Sequence, residues 1–312
     1  MTSPVPVVAV TCRDFAVDDD RPLGLLARAG FAVRVNTTGR RLSADEIVEI
    51  AADAVGIVAG TEPFREDLLA RLGTLRVLSR CGTGVDNVDV GAASRRGIPI
   101  LRTPDGPAPA VAELALAMIL GLARRLPLHD RLVRSGRWEA RSGDLLEERT
   151  LAIVGLGRIG RRLAEIARPL FRRIVAVEPV PDLPTCERLA VELLSLDEAL
   201  AAADVVSLHL PSAPETRGLF DAARLARMKR GAYLVNTARG ELVDEAALLA
   251  AIESGRLAGA ALDVFAEEPY RGPLLERPEV IVTPHVGSRT VETRRRMELE
   301  AVENLIRTLA LP

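Results

Sequence analysis

The sequence predicts an α/β protein made of two doubly wound parallel-sheet domains. Three observations carry this. Short apolar, β-branched runs alternate with helical runs along the chain, the pattern of parallel strands joined by helical crossovers. The chain has 312 residues, more than the roughly 250–300 at which a single core stops growing. The alternation breaks once, at Thr103-Pro-Asp-Gly-Pro-Ala-Pro109, and then begins again. Three prolines and a glycine in seven residues make that stretch a hinge candidate.

In order, Val5–Val10 reads as a strand, and Leu23–Ala29 as a helix stopped by Gly30. Phe31–Val35 is a second strand. Ser43-Ala-Asp-Glu46 has capping-box form and opens a helix to about Ala52. Gly56–Ala59, Leu75–Ser79 and Ile98–Leu101 complete the first set of strands. After the hinge comes a long apolar helix, about Val111 to Arg125, and then a polar, arginine-rich segment to Arg149. The second set of strands reads Leu151–Val154, Ile174–Val177, Asp204–Leu208, Ala232–Asn236, Ala260–Asp263 and Val280–Val282. Pro169 ends the helix after the first of these. Asp244 caps another that stops at Gly255. A last helix runs from about Val291 to Leu309. Two such modules are consistent with a cleft between them.

Composition excludes several functions. Hydrophobic residues make up 48% of the chain, and charged residues 27% with a net charge of −2. A protein that grips nucleic-acid phosphates would show a basic excess. Lys229 is the only lysine, so there is no Gly-Lys-Ser/Thr phosphate loop. Cys12, Cys81 and Cys186 are far apart and form neither a CxxC pair nor zinc spacing. No metal is expected, and a reducing compartment fits three unpaired thiols. The N-terminus lacks a basic leader and a cleavage site. Leu114 to Ala123 is apolar but about half a membrane span, flanked by Glu113 and Arg124. A cytoplasmic protein with no membrane or nucleic-acid partner is expected.

The strongest motif follows the strand Thr150–Val154. Gly155-Leu-Gly157-Arg-Ile-Gly160 opens a helix, and strand Ile174–Val177 ends at Glu178. Gly155 permits the tight turn, Gly157 lets backbone approach a pyrophosphate, and Gly160 lets helix and strand pack closely. The helix N-terminus offers N–H groups to phosphate. Glu178 can accept from ribose hydroxyls and would repel a 2′-phosphate, so NAD is favoured over NADP. Arg158 either adds phosphate affinity or points to solvent.

Moving a hydride to or from a carbinol carbon requires a proton carrier near neutral pH, and histidine suits that role. Of His129, His209 and His285, the last two follow strand ends, where ligands bind in open α/β sheets. His129 lies in the polar segment and reads as a solvated surface residue. Asp263 ends a strand, and Glu268 follows five residues on. A carboxylate beside an imidazole raises its pKa and orients it; the plainer reading of Glu267 and Glu268 is a solvated turn. Arg239, at another strand end beside Gly240, can hold a carboxylate through two parallel bonds and polarise a carbonyl. In a chain this rich in arginine, the plainer reading of any one is structural.

Together these motifs resemble the NAD-dependent D-isomer-specific 2-hydroxyacid dehydrogenases, the family of D-3-phosphoglycerate dehydrogenases and glyoxylate/hydroxypyruvate reductases. The likeness runs from about Leu75 to Ser288. It rests on Arg80-Cys-Gly-Thr-Gly-Val-Asp-Asn-Val-Asp89, the glycine turn, Val235-Asn-Thr-Ala-Arg-Gly240, Gly259-Ala-Ala-Leu-Asp-Val-Phe-Ala-Glu-Glu-Pro269 and Thr283-Pro-His-Val-Gly287. The resemblance implies a flavodoxin-like substrate domain, residues 1–103 with 285–312. It implies a Rossmann NAD-binding domain, residues 104–284, whose extra segment makes a homodimer. It implies Arg239 as the substrate-binding arginine, His285 as the catalytic histidine and Glu268 as its paired acid. Cofactor contacts are implied at Gly155, Gly157, Arg158, Ile159, Gly160, Glu178, His209, Pro211, Thr216, Thr237, Ala238, Asp263 and Gly287. Substrate contacts are implied at Arg80, Cys81, Gly82, Thr83 and Gly84.

The chain also departs from the family pattern. Many relatives carry an asparagine and a serine between Pro104 and Ala112-Glu113, where this chain reads Asp105-Gly-Pro-Ala-Pro-Ala110. Phosphoglycerate enzymes tend to carry an arginine at the position of Ala59. A small 2-keto acid is therefore expected ahead of a phosphorylated one. Two alternatives stand beside the dehydrogenase: an NAD(H)-responsive corepressor-like binding protein of the same fold, and a phosphite or formate dehydrogenase. Trp138, the only tryptophan, is expected in core or dimer packing.

Overall fold

Residues 4–104 and 106–310 are described by a computed structural model. Asp105 of the hinge reading, residues 1–3 of the leader reading and residues 311–312 of the domain assignment lie outside the described residues. The chain divides into two units, Met1–Pro107 with Ser288–Pro312, and Ala108–Gly287.

The first unit runs β1 (Val7–Val10), α1 (Arg21–Arg28), β2 (Ala32–Val35), α2 (Ala44–Ala51), β3 (Ala54–Ala59), α3 (Glu66–Arg71), β4 (Val77–Arg80), α4 (Val90–Arg95) and β5 (Ile100–Leu101). Its sheet is parallel, in the order β2-β1-β3-β4-β5. The near-continuous apolar runs of β1 and β3 are what a strand covered on both faces requires. Successive side chains point to opposite faces. Val8, Val10, Val58 and Val77 enter one core, while Ala9, Ile57, Ala59 and Leu78 enter the other. The chain's last helix returns to this unit. Its Met297, Ala301, Val302 and Leu305 recur at helical spacing and join the first of those cores. Ser79 Oγ donates to the Ala301 carbonyl at 2.7 Å. The Ser43–Glu46 capping box is present in full.

The second unit runs α5 (Ala108–Ala123), α6 (Leu126–Arg134), β6 (Thr150–Val154), α7 (Arg158–Ala167), β7 (Arg173–Val177), α8 (Leu183–Arg188), β8 (Glu192–Leu193), α9 (Leu196–Ala202), β9 (Val205–Leu208), α10 (Ala222–Arg227), β10 (Ala232–Asn236), α11 (Glu245–Glu253), β11 (Leu257–Leu262) and β12 (Val280–Val282). The remaining helix, α12, is Val291–Leu309 of the first unit. The second sheet is also parallel, in the order β12-β11-β10-β9-β6-β7-β8. The strand order reverses between β6 and β9, which opens a crevice at their carboxyl ends. Asp244 caps α11, accepting from Ala246 and Ala247.

Several details depart from the sequence reading. α5 begins at Ala108, so Pro109 lies in its first turn, where a missing N–H costs no hydrogen bond. The edge strand β8 and the short α3 and α4 were not anticipated; two and six residues are too few to show a period. Trp138 is 92% exposed, which corrects the core alternative for it. Among the described residues no helix is long and apolar enough to cross a membrane.

Because Leu305 is fully buried against Val8 and Val58, Leu305→Ala should destabilise the protein by about 2–5 kcal/mol in denaturant titration. The exposed Glu303→Ala should stay within about 0.5 kcal/mol of wild type.

Candidate active site

The glycine turn is built at the end of β6. Gly155 has φ +97° and its N–H donates to the Val177 carbonyl at 2.9 Å. A Cβ on Gly160 would lie 2.1 Å from the Gly155 carbonyl oxygen, so helix and turn meet only through glycine. Among the described residues no side chain caps α7, which starts at Arg158. The N–H groups of its first turn therefore face a phosphate-sized anion's natural seat. Arg158 is exposed and Ile159 half-buried at that turn. Glu178 accepts from Leu156 N–H at 2.8 Å and Val180 N–H at 3.3 Å. This fixes the carboxylate beside the turn while leaving lone pairs for hydroxyl donors.

Polar atoms without partners gather at neighbouring strand ends. His209, after β9, shares a hydrogen bond of 2.9 Å between Nε2 and Ser207 Oγ. Among the described residues its Nδ1 is enclosed and unpartnered, as are Ser212 Oγ and Thr237 Oγ1. Buried polar atoms normally find partners, so these three fit a bound polar cofactor. Burial pushes the His209 imidazole down to about 4, which keeps it neutral. Pro211 and Thr216 form a closed turn: Thr216 Oγ1 donates to the Pro211 carbonyl at 2.7 Å and accepts from Ala213 N–H at 2.9 Å.

The chemical residues stand after β10, β11 and β12. Asn236 shapes the first loop, accepting from Ala238 N–H at 3.0 Å and donating to the Arg239 carbonyl at 2.8 Å. Arg239 Nη1 donates to the Ala238 carbonyl at 2.6 Å. The second loop starts at Asp263, 1% exposed. Its carboxylate accepts from Thr283 Oγ1 at 2.6 Å, Val286 N–H at 2.7 Å and Gly287 N–H at 2.8 Å. That wraps the third loop around it. His285 is thereby held at φ +55°, a sparsely occupied conformation for a residue with a side chain. Its Nδ1 lies 3.0 Å from Glu268 Oε2 and 3.2 Å from Oε1. Both side chains are more than a third exposed. Burial alone would push the Glu268 carboxyl up. The His285 hydrogen bond and charge, the Phe265 N–H and the Arg239 charge outweigh this and hold it below its ordinary value. Glu268 thus feels both His285 and Arg239.

The first unit carries the other predicted cluster. Arg80, 9% exposed, donates from Nη1 to the Cys81 carbonyl at 2.6 Å and from Nε to Asn87 Oδ1 at 3.3 Å. Its guanidinium lies under Gly82, where a Cβ would come within 2.7 Å of Nη1. Among the described residues the N–H groups of Thr83 and Gly84 donate to no protein acceptor.

Residues 116–287 match the family described as D-isomer specific 2-hydroxyacid dehydrogenase, NAD binding domain. The chain belongs to this family. It is 41% identical over 262 residues to the D-3-phosphoglycerate dehydrogenase of Mycobacterium bovis, covering 83% of this chain and 49% of that protein. The chain thus spans about half the length of the curated relatives it matches. A solved structure of a Thermus thermophilus protein superposes with a TM-score of 0.89 at 39% identity, covering 97% of this chain and 96% of that one. The glyoxylate reductase structure from Paecilomyes thermophila gives 0.87 at 30% identity, covering 99% and 96%.

The second unit accordingly holds the NAD-binding domain of a D-isomer specific 2-hydroxyacid dehydrogenase family member, and the unpartnered atoms after β9 and β10 fit that group. Sequence reasoning missed several residues that build the site. Arg161 pins the glycine turn through the Leu156 carbonyl at 2.9 Å. Asn236 and Thr283 hold the loops of Arg239 and His285. Each is a polar residue at a strand end or first helical turn, a placement that supplied the only available signal. Among the described residues no cluster of His, Cys, Asp and Glu could hold a metal ion.

His209 stays neutral where an unfolded chain's histidine takes up a proton. Its stabilising effect is complete above the ordinary value near 6.5 and is lost as pH falls from there towards about 4. His209→Gln should flatten that part of the stability-versus-pH curve in denaturant titration. An unchanged slope would contradict the burial of Nδ1.

Proposed function

We propose that this protein is an NAD-dependent oxidoreductase acting between a D-2-hydroxyacid and its 2-keto acid. Arg239, Glu268 and His285 are its working residues. The reading is carried by the His285–Glu268 pair at 3.0 Å, in a unit whose residues match the family's NAD-binding domain. Glu268 is acceptor-only when ionised, so it assigns the hydrogen to Nδ1 and leaves Nε2 to exchange a proton with substrate.

For oxidation, His285 takes the hydroxyl proton at Nε2 while Arg239 holds the carboxylate by paired charge-assisted bonds. When bound, NAD supplies the hydride acceptor and, reduced, the hydride donor. For reduction, His285 delivers the Nε2 proton to the nascent alkoxide, and Glu268 compensates the imidazolium. Fixing the substrate's orientation is the part Arg239 adds beyond charge. The carboxylate of Glu178 beside the turn supports NAD over its 2′-phosphorylated form. In the first unit, taken by itself, we further propose that the Arg80–Gly84 loop binds a carboxylate through the N–H groups of Thr83 and Gly84, supported by the buried guanidinium beneath it. Ala59, fully buried at the end of β3, offers no cation where phosphoglycerate enzymes tend to have one. This favours a small, unphosphorylated keto acid. Leu126, Val133, Trp138 and Leu145 are 57%, 49%, 92% and 58% exposed on one stretch of chain, which supports a homodimer formed through it.

Turnover of NADH should be followed with glyoxylate, pyruvate, hydroxypyruvate and phosphohydroxypyruvate. Reduction of at least one is expected, and His285→Gln should lower kcat by about 10²–10⁴-fold. Tight NADH binding with no turnover of any keto acid would favour the sensor reading instead. Glu268→Gln removes the charge that favours imidazolium, so the reductive rate should begin to fall at lower pH than in wild type. Superimposable profiles would contradict the pairing.

A further inference from the structure

The loop that carries Glu268 is tied down from outside the residues already discussed. Glu245 Oε1 accepts from Ala266 N–H at 2.8 Å. Glu245 is the first residue of α11, directly after the capping Asp244. The same stretch of backbone is also met at close range by Gly240. A Cβ on Gly240 would lie 1.8 Å from the Phe265 carbonyl carbon and 2.2 Å from Ala266 N. The backbone of Gly240, next to Arg239, therefore rests directly on the Phe265–Ala266 peptide. Phe265 itself makes two further contacts. Phe265 N–H donates to Glu268 Oε1 at 3.2 Å, and the Phe265 ring stacks on Tyr270 with centroids 4.3 Å apart.

Two short segments are thus clamped together, Arg239–Glu245 and Asp263–Glu268. One bears the guanidinium proposed to hold the substrate, the other the carboxylate that orients the imidazole. Gly240 contributes contact without directional bonding. The Glu245–Ala266 hydrogen bond is a directional link between the segments, and it is charge-assisted, hence about twice as strong as a neutral one.

From these contacts we infer that Glu245 is a positioning residue for the reaction. It sets where Glu268, and through it His285, stands relative to Arg239. It touches neither substrate nor cofactor and acts through the Ala266 peptide. This rests on the dehydrogenase reading above. Without the tie, the 265–268 loop can drift from Gly240, the Phe265 N–H loosens from Glu268, and the carboxylate no longer faces Nδ1 squarely. A displacement of about 1 Å at such a site costs up to about 10²-fold in rate.

The test compares wild type, Glu245→Ala and Glu245→Gln in keto-acid reduction with NADH, each over a range of pH. Glutamine keeps a carbonyl oxygen that can accept from Ala266 N–H, and alanine does not. Expected for Glu245→Ala is a kcat lower by about 10- to 100-fold, with a reductive rate that begins to fall at lower pH, as in Glu268→Gln. NADH affinity should be unchanged, because the glycine turn lies outside the clamp and the Asp263 carboxylate is held by the 283–287 loop rather than by the Ala266 tie. Glu245→Gln should restore most of kcat and the wild-type profile. Alanine is a good helix former and Asp244 still caps α11, so the melting temperature should stay close to wild type. A Glu245→Ala protein with wild-type kcat and pH profile would overturn the inference. So would a glutamine variant as impaired as alanine, or losses of kcat and of NADH binding in step. Wild-type inertness towards every keto acid would be a separate outcome, removing the dehydrogenase reading and this inference with it.

Discussion

The site depends on one buried carboxylate. Asp263 emerges at the end of β11 with no solvent to satisfy it, and its three acceptor bonds all go to the 283–287 loop. A buried carboxylate left unpaired is costly, so the loop has little choice but to wrap around it. The wrap forces the left-handed turn at His285. An unusual backbone angle of this kind persists only where its surroundings over-determine it, and here a hydroxyl and two backbone N–H groups do so. The imidazole is consequently aimed by the backbone before Glu268 touches it.

Sheet register then sets the distances between the loops. Asn236 pairs with Leu262, and Leu262 with Val282, so the three strands end level with one another. Arg239 comes three residues after the first end, Asp263 one after the second and His285 three after the third. Short loops on level strand ends leave each side chain little room to stray. Both glycines of consequence serve close approach: Gly160 lets α7 settle on the Gly155 turn, and Gly240 lets the arginine loop lie on the Phe265–Ala266 peptide. Rigid strands beneath short loops are what the proposed hydride-transfer centre needs, since its reacting atoms tolerate little misplacement.

The parallel α/β architecture could be read directly, because a strand covered on both faces must be apolar throughout and the chain repeats that signature. The glycine turn and Glu178 were equally visible, since strand, turn and helix are contiguous there. Contacts between loops were less so. Glu268 and His285 are 17 residues apart, and nothing in that spacing requires them to meet; only the shared level of β11 and β12 does. Asn236, Thr283 and Glu245 look like ordinary polar residues in sequence, and their work lies in backbone hydrogen bonds that composition cannot announce. Trp138 illustrates the converse: an aromatic residue suggests packing, yet its ring is left almost wholly open. Pro109 marks a break in composition but a start in geometry, because the first turn of a helix tolerates proline.

In the proposed mechanism His285 carries the proton at Nε2, held by Glu268 and aimed by Asp263. Chemical rescue tests it most directly. His285→Gly should be nearly inactive in keto-acid reduction, and added imidazole should restore the rate in a saturable, pH-dependent manner. Arg239→Ala should gain nothing from the same addition. A glycine variant that retains wild-type turnover, or one that imidazole leaves unchanged while NADH still binds, would contradict the account.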